Sequence, residues 1–223
     1  MSRRDDVDII GNVETYLGAR TDTARYSSFD YCFNYFRDFH DAGTGRALTD
    51  AEHLEASCLQ LGFYLASWGM FRGRAELLTH SVKRLAPVID LIAGAPPALW
   101  NVDANDYGAD AQHLLFEAER QLRHALPGGQ SQTLVTKTML GVFGCVPAFD
   151  RFFRVGFNTA RFGPKALAGI ERYYRANAET IDRHRVATLD FETGRPSAHT
   201  YTAAKVIDMI FFIEGLRGPA ERS

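Results

Sequence analysis

Lys137 and Asp150 are the residues of this sequence whose types and setting most directly suggest chemistry. Lys137 lies in the otherwise apolar segment TLVTKTMLGVFG, and Asp150 follows a turn that contains Pro147. A lysine in such a segment either extends its amine to the surface or pairs with a carboxylate. An aspartate at the start of a short helix is first of all an N-cap. In a cavity between helices, Lys137, Asp150 and Tyr64 could also serve a small-molecule enzyme, so Asp150 and Lys137 are candidate catalytic residues.

The run FYLASWGMFRGR brings aromatic and cationic side chains close together in the chain, namely Tyr64, Trp68, Arg72 and Arg74. Aromatic faces beside guanidinium groups can stack a base or another planar ligand. The same run could instead be a packing joint between helices, with the arginines reaching solvent. Tyr64, Trp68 and Arg72 are therefore candidate binding residues, and both interpretations stay open.

The segment from 151 to 185 is the basic stretch of the chain, with eight basic residues against three acidic ones. The basic residues are Arg151, Arg154, Arg161, Lys165, Arg172, Arg175, Arg183 and Arg185, and the acidic ones are Glu171, Glu179 and Asp182. Such a local excess could meet phosphates, and a solvated helix face is the simple alternative. Arg151 and Arg154 are the candidates for phosphate contact.

The histidines do not follow the spacing of a metal site such as H-E-x-x-H. His40 and Asp41 resemble the central pair of an HD-type phosphohydrolase, for which His53, His80 and Asp208 would be the further ligands. A helix C-terminus that favours a histidine through its dipole is the preferred explanation of His40. The sequence therefore predicts no metal site, and it indicates no cofactor.

The cysteines Cys32, Cys58 and Cys145 are widely spaced and have apolar neighbours, which is typical of reduced core thiols. A catalytic role for Cys145 would need an accessible, electropositive setting. The chain also lacks a phosphate-binding loop and a G-x-S-x-G elbow. Nucleotide hydrolysis and serine hydrolysis are therefore disfavoured.

Helices must position these candidates, because apolar residues recur at helical spacing along most of the chain. The predicted helices cover about residues 5–17, 28–42, 49–68, 74–93, 109–126, 131–143, 149–157, 164–185 and 199–214, with an interruption at Pro87. Residues 187–198 are expected to form a small hairpin or an extended loop. The prediction is an all-α bundle of about eight or nine helices.

One domain over residues 1–223 is expected, since 46% hydrophobic residues suffice for a single core. The loop at 94–107 would separate two halves, 1–93 and 108–223, but it is too short for an interdomain tether. The 25 basic and 27 acidic residues nearly cancel, so the total charge predicts neither a polyanion nor an anionic membrane as partner.

Localisation follows from two absences in the sequence. The first residues, MSRRDDVDII, lack the apolar region of a secretory signal. The longest apolar stretches are also too short to span a membrane. A cytoplasmic protein without a membrane partner is therefore expected.

Three segments carry a resemblance to a known family: FYLASWGMFRG, TLVTKTMLGVFGCVPAFDRFF and YTAAKVIDMIFFIEG. They are similar to segments of an uncharacterised, widespread family of small helical bacterial proteins. The likeness extends from Phe63 to Gly215, and it implies a helical fold without attaching an activity to it.

Residues 52–155 also resemble the helix-hairpin-helix base-excision DNA glycosylases. The segment LPGGQSQT (126–133) stands where those enzymes have the hairpin L-P-G-x-G-x-x-T. Asp150 stands where they have the aspartate that assists cleavage of the glycosidic bond. The sequence departs from the pattern at Gln130, which replaces the second hairpin glycine, and at Gln132, which replaces the nucleophilic lysine of the bifunctional members.

Two functions remain open at this point. The first is a nucleic-acid-associated protein with a glycosylase-like fold. In it Asp150 would stabilise an oxocarbenium-like centre or position water, Trp68 or Tyr64 would stack on an extruded base, and Arg151 with Arg154 would contact phosphates. The second is a helical interaction or regulatory module that binds a protein partner or a second copy of the chain through an apolar patch. The absence of a strong catalytic motif favours the second as an activity.

Overall fold

Helices dominate the computed structural model, which describes residues 7–73, 75–128 and 130–218. The helices of these residues are α1 (Ile9–Gly18), α2 (Ser28–Asp41), α3 (Leu54–Ser67), α4 (Ala86–Ala93), α5 (Ala109–Ala125), α6 (Gln132–Phe143), α7 (Arg151–Phe157), α8 (Pro164–Arg183) and α9 (Ala203–Arg217). The prediction of an all-α domain of about nine helices is confirmed.

Local capping explains where the helices that matter for the site begin. Ser131, Asp150 and Thr202 each accept a hydrogen bond from a backbone N–H of the first turn, in α6, α7 and α9 respectively. These bonds satisfy amides that have no partner inside the helix. Gly144 ends α6 in the left-handed conformation, with φ 66°, which costs glycine little.

The helix predicted over 74–93 is wrong in its first half. Two 3-10 turns, Glu76–Thr79 and Val82–Leu85, occupy that part, and α4 begins only at Ala86. Pro87 explains why α4 is a separate helix, since it has no amide to continue a helix from the preceding turn but fits the first turn of a new one. Arg74 lies outside the described residues.

Residues 187–200 form a hairpin, which was one of the two alternatives for this stretch. Strands β1 (Ala187–Leu189) and β2 (Pro196–Thr200) pair antiparallel. The hairpin is fastened to α2 by the buried Asp30, whose carboxylate accepts from the amide of Leu189 at 3.1 Å and from the hydroxyl of Tyr201 at 2.6 Å.

The centre of the core is formed by α6 and α9, whose residues are almost all buried. The short helix α7 crosses α9 at two glycines. A Cβ atom at Gly156 would meet the carbonyl oxygen of Phe211, and one at Gly215 would meet that of Phe152. Only glycine permits such close backbone contact, and this contact holds α7 at the edge of the cleft described below.

One hydrophobic core includes residues from both predicted halves of the chain. The loop between the halves contributes its own buried side chains to that core, namely Leu99, Trp100, Val102, Ala104 and Tyr107. In the described part of the chain, every helix is too short or too polar to cross a lipid bilayer.

Candidate functional site

A cleft of about 520 Å³ opens between the C-terminal end of α3, the first half of α6 and helix α7. Six of the seven residues that the sequence suggested as site residues line it. They are Trp68, Arg72, Lys137, Asp150, Arg151 and Arg154. The structure thus gathers candidates from three separate segments into one concavity.

The floor of the cleft carries the Lys137–Asp150 ion pair, in which Nζ lies 3.0 Å from Oδ2. Both residues are nearly buried, with exposed fractions of 4% and 9%. The second oxygen of Asp150, Oδ1, accepts from the amide of Phe153 at 2.9 Å, so one carboxylate both caps α7 and binds the lysine. The sequence left two alternatives for the Lys137 amine, the protein surface or a carboxylate partner. In the structure the amine pairs with the carboxylate of Asp150.

Tyr64 does not reach the cleft, although the sequence suggested it as a stacking residue. Its side chain is 2% exposed, and its hydroxyl donates to the backbone carbonyl of Lys137 at 3.1 Å. Gly141 on α6 leaves the space for the Tyr64 ring, which a Cβ atom there would strike. Burial raises the pKa of Tyr64 well above 10.0. Tyr64 therefore joins α3 to α6 and holds the backbone beneath the ion pair.

Trp68 forms an aromatic wall on one side of the cleft. Its half-buried ring makes edge contacts with Tyr26 and Phe212, both at 5.6 Å between ring centroids. The Lys137 amine lies 5.0 Å from the same ring centroid, and the Arg25 guanidinium lies 5.4 Å from it. The ring is thus both a packing joint and a cleft wall, with cations near its face.

Four arginines stand around the opening: Arg25, Arg72, Arg151 and Arg154. Within residues 7–73, 75–128 and 130–218, none of them forms an ion pair with a carboxylate. The described lining therefore holds five cationic side chains, counting Lys137, against the single carboxylate of Asp150. A concave surface of one sign concentrates the electrostatic potential and attracts ions of the opposite sign.

A second buried ion pair lies behind Trp68. The amine of Lys205 is 3.4 Å from Oδ2 of Asp208, and it also donates to the hydroxyl of Tyr16 at 2.8 Å. Its distance to the Trp68 ring centroid is 5.8 Å. Desolvation lowers the pKa of Lys205 and raises the pKa of Asp208. The amines of both pairs thus lie within about 6 Å of the Trp68 ring centroid.

The pairing of Lys205 was not predicted from the sequence, because its helix, predicted over 199–214, is strongly apolar. The available signal was a lysine and an aspartate three residues apart in that apolar helix, which puts both on one face. Asp208 was considered only as a metal ligand. In the structure its Oδ1 accepts from the amide of Ala148 at 2.9 Å, so it also fixes the turn before α7.

The residues considered for an HD-type metal centre do not converge. His40 stacks on the ring of Trp100 with 4.5 Å between centroids, and neither residue belongs to the cleft lining. In the described residues, no three His, Cys, Asp or Glu side chains are placed to hold a metal ion. The three cysteines are buried and free, and desolvation raises the pKa of the Cys145 thiol, which is unfavourable for a nucleophile.

The basic run from 151 to 185 divides into three groups, one of which, Arg161, Lys165 and Arg172, lines a separate concavity outside the cleft. Its C-terminal arginines are engaged in ion pairs: Arg175 with Glu171, Arg183 with Glu179, and Arg185 with Asp103 and Asp182. These cations are therefore largely neutralised by neighbours. Arg151 and Arg154, in contrast, face the cleft.

The arrangement combines an aromatic wall, a cationic rim and an amine–carboxylate pair that can donate to and accept from a ligand edge. Such a combination suits a planar ligand that carries negative charge. Comparisons of the chain with protein-family models, curated proteins and solved structures found no match.

Proposed function

We propose that the cleft binds nucleotide units, with the phosphate at the arginine rim and the base against Trp68. The observation that carries this proposal is the set of four arginines, free of carboxylate partners within the described residues, around a half-buried tryptophan. In a chain whose formal net charge is −2, this concentration of positive charge is local and sits in a concavity.

The phosphate end of the ligand would meet Arg72 and Arg151, which are both exposed. Guanidinium groups bind phosphate oxygens through two parallel N–H donors, and such charge-assisted bonds are stronger than neutral ones. Arg154 is less free to move, because its Nε donates to the carbonyl of Asp150 at 3.3 Å. We assign it the role of holding the rim in shape.

The base end of the ligand would lie against Trp68 and Phe152, the two half-buried aromatic rings of the lining. Stacking of a base on an aromatic ring contributes about 1–3 kcal/mol. At the floor, the Lys137 amine is a hydrogen-bond donor and the Asp150 carboxylate is an acceptor. Together they match the carbonyl and amino groups on the edge of a base.

Binding of nucleoside monophosphates at low salt tests the proposal. The Arg72→Ala/Arg151→Ala variant should bind at least about tenfold more weakly than wild type, since removal of each charge-assisted bond costs about 1.5–3 kcal/mol. The matched control is Arg175→Ala/Arg183→Ala, which removes the same charge from ion-paired positions and should bind as wild type does. Calorimetric titration supplies the affinities, and equal affinity of the two variants would refute the proposal.

Trp68 gives the same experiment a second readout. A base stacked on its ring should quench its fluorescence, and the quench should vanish in Trp68→Phe. The other tryptophan, Trp100, is 4% exposed and lies outside the cleft lining, so its emission should stay constant. Quenching that persists in Trp68→Phe would show that the base binds elsewhere.

A second candidate function is cleavage of a glycosidic bond in the same cleft, in line with the glycosylase resemblance. It is favoured by the helix order: α5, the LPGG turn, α6, then Asp150 at the head of α7. Gly129 of that turn is outside the described residues. Asp150 would stabilise the developing positive charge on the sugar, with Lys137 holding it in place. A water molecule would add to the anomeric carbon, and its proton would leave with the released base. Release of free base from oligonucleotides with deaminated or alkylated bases tests this, and the release should be abolished in Asp150→Asn.

A further inference from the structure

A second groove, of about 540 Å³, lies beside the cleft, between the end of α7 and the first half of α8. Three exposed cations line it: Arg161, Lys165 and Arg172. Its described lining contains no aspartate and no glutamate. The described lining of the groove therefore carries a net positive charge.

The three cations of the groove differ in their ion pairing from the arginines in the second half of α8. Arg175 and Arg183 are paired with Glu171 and Glu179, one helical turn away on the same helix. Over the described ranges, Arg161, Lys165 and Arg172 form no ion pair. Their charge is thus available to a ligand, whereas that of the C-terminal arginines is not.

The groove and the cleft share a wall. Arg154 lines the cleft, and its Nη1 donates at 3.4 Å to the carbonyl of Ala160, which lines the groove. A second connection runs through Gln132, whose side-chain oxygen accepts a hydrogen bond at 2.9 Å from the amide of Phe162, a residue of the groove lining. The residue after Gln132, Thr133, lines the cleft. A chain-like ligand could pass from one to the other across this wall.

The chemistry of the groove fits a sugar–phosphate backbone better than a base. Its one aromatic residue, Phe162, packs on Phe116 and Phe149 and is only 9% exposed, so it offers no free face for stacking. Proteins that bind single strands combine cationic grooves along the backbone with aromatic rings for the bases. Here the groove supplies the first component and the cleft supplies the second.

We infer that the ligand is a single-stranded polynucleotide, whose backbone continues from the nucleotide in the cleft into the groove at Arg161, Lys165 and Arg172. This inference rests on the proposed function of the cleft. It names the substrate class, a polymer, where the cleft alone indicates only a nucleotide unit.

The test uses thymidine monophosphate and oligothymidylates of increasing length with three proteins: wild type, Arg161→Ala/Arg172→Ala, and the matched control Arg175→Ala/Arg183→Ala. The first variant should bind the monophosphate as wild type does but should bind long oligomers at least about tenfold more weakly. The slope of log affinity against log salt should fall by about 0.7 for each phosphate that is no longer neutralised, hence by about 1.4. The control variant should match wild type for every ligand.

Two results would overturn the inference. One is equal affinity of both variants for the long oligomers. The other is a wild-type affinity that does not rise with oligomer length although the monophosphate binds in the cleft. In that case the proposed function of the cleft stands, and the inference that the ligand is a polymer is wrong. If wild type binds neither the monophosphate nor the oligomers at low salt, the proposed function and the inference both fall.

Discussion

At the floor of the cleft, the Lys137 amine and the Asp150 carboxylate neutralise each other in a site with little access to water. The pair is 3.0 Å apart, and the carboxylate also holds the first turn of α7. Removing one partner of a buried pair leaves an uncompensated charge, which costs far more than the pair contributes as a whole. The effects of substituting the two residues on the free energy of unfolding should therefore not be additive.

A double-mutant cycle should reveal this coupling. Lys137→Met keeps the side-chain volume and leaves the carboxylate alone, so we expect a decrease of about 3 kcal/mol in the free energy of unfolding. Asp150→Asn keeps the N-cap, because asparagine caps helices as well as aspartate does. The double variant should be less destabilised than the sum of the single variants by about 1 kcal/mol or more, measured by urea unfolding. Strict additivity would contradict the coupling.

The cleft depends on elements that meet at fixed places. Helix α7 carries Asp150 at its head and Arg151 and Arg154 on its first turns, and it packs on α9 through Gly156 and Gly215. Because backbone contacts backbone at this crossing, α7 cannot move away without opening the core. The position of the arginine rim is thus set by two glycines that are not part of the cleft.

Gly215→Ala should therefore affect both stability and binding. The added methyl group would collide with the backbone of Phe152, and such overpacking costs about 1–3 kcal/mol or more. Nucleotide affinity should fall with it, because α7 must shift. The control is Gly18→Ala at the end of α1, where a Cβ atom meets nothing within 4 Å and stability should change little. Urea unfolding and nucleotide titration of both variants check the prediction.

The whole molecule is nearly neutral, yet its charges are unevenly distributed. Seven cations without carboxylate partners in the described residues line the cleft or the groove, namely Arg25, Arg72, Arg151, Arg154, Arg161, Lys165 and Arg172. A third concave surface, between α2 and the hairpin, carries Asp38, Asp190 and Glu192 instead. The net charge does not reveal this separation of charges. Long-range electrostatic attraction would direct a polyanion to the surface that holds the cleft and the groove, and away from the acidic surface.

Buried tyrosines should make the stability of the protein depend on pH in the alkaline range. Burial raises the pKa of four tyrosines well above 10.0: Tyr16, Tyr64, Tyr107 and Tyr201. Below pH 10 these phenols are protonated in the folded and unfolded states alike. Above that pH the unfolded chain releases the protons while the folded chain keeps them, so the free energy of unfolding should fall as the pH rises.

The slope of the free energy of unfolding against pH follows from the number of groups with a raised pKa. Each tyrosine should lower the free energy of unfolding by about 1.4 kcal/mol per pH unit above its unfolded pKa, hence by roughly 5.6 kcal/mol per unit for four. The buried thiols of Cys32 and Cys145 add to this slope, because burial raises their pKa as well. Lys205 acts in the opposite direction below 10.5, since its pKa is lowered, but one amine is outweighed by four phenols. Denaturant unfolding across this pH range should show this slope reduced by about 1.4 kcal/mol per pH unit in Tyr107→Phe. An unchanged slope in that variant would refute the assignment.

Local sequence was enough to predict most of the helices, the cap at Asp150 and six of the residues that line the cleft. Apolar spacing and residues such as Ser131, Asp150 and Gly144 act over one or two turns, so their effect can be recognised without knowing the fold. Lys137 was recognisable as an unusual cation in an apolar helix. Its pairing with a carboxylate was one of two open alternatives, since nothing local selects between a partner and the solvent.

Which residues meet depends on the packing of the folded chain, because contacts between distant segments leave no periodic trace in a sequence. Tyr64 and Trp68 are one turn apart, and the sequence suggested either of them as the stacking residue. Helix α3 ends at Ser67, however, and Trp68 leaves the helical path at φ −95° and ψ 16°, so it reaches the cleft while Tyr64 stays in the core. In the same way, Lys205 donates a hydrogen bond to Tyr16, near the other end of the described chain, and packing alone brings these two residues together.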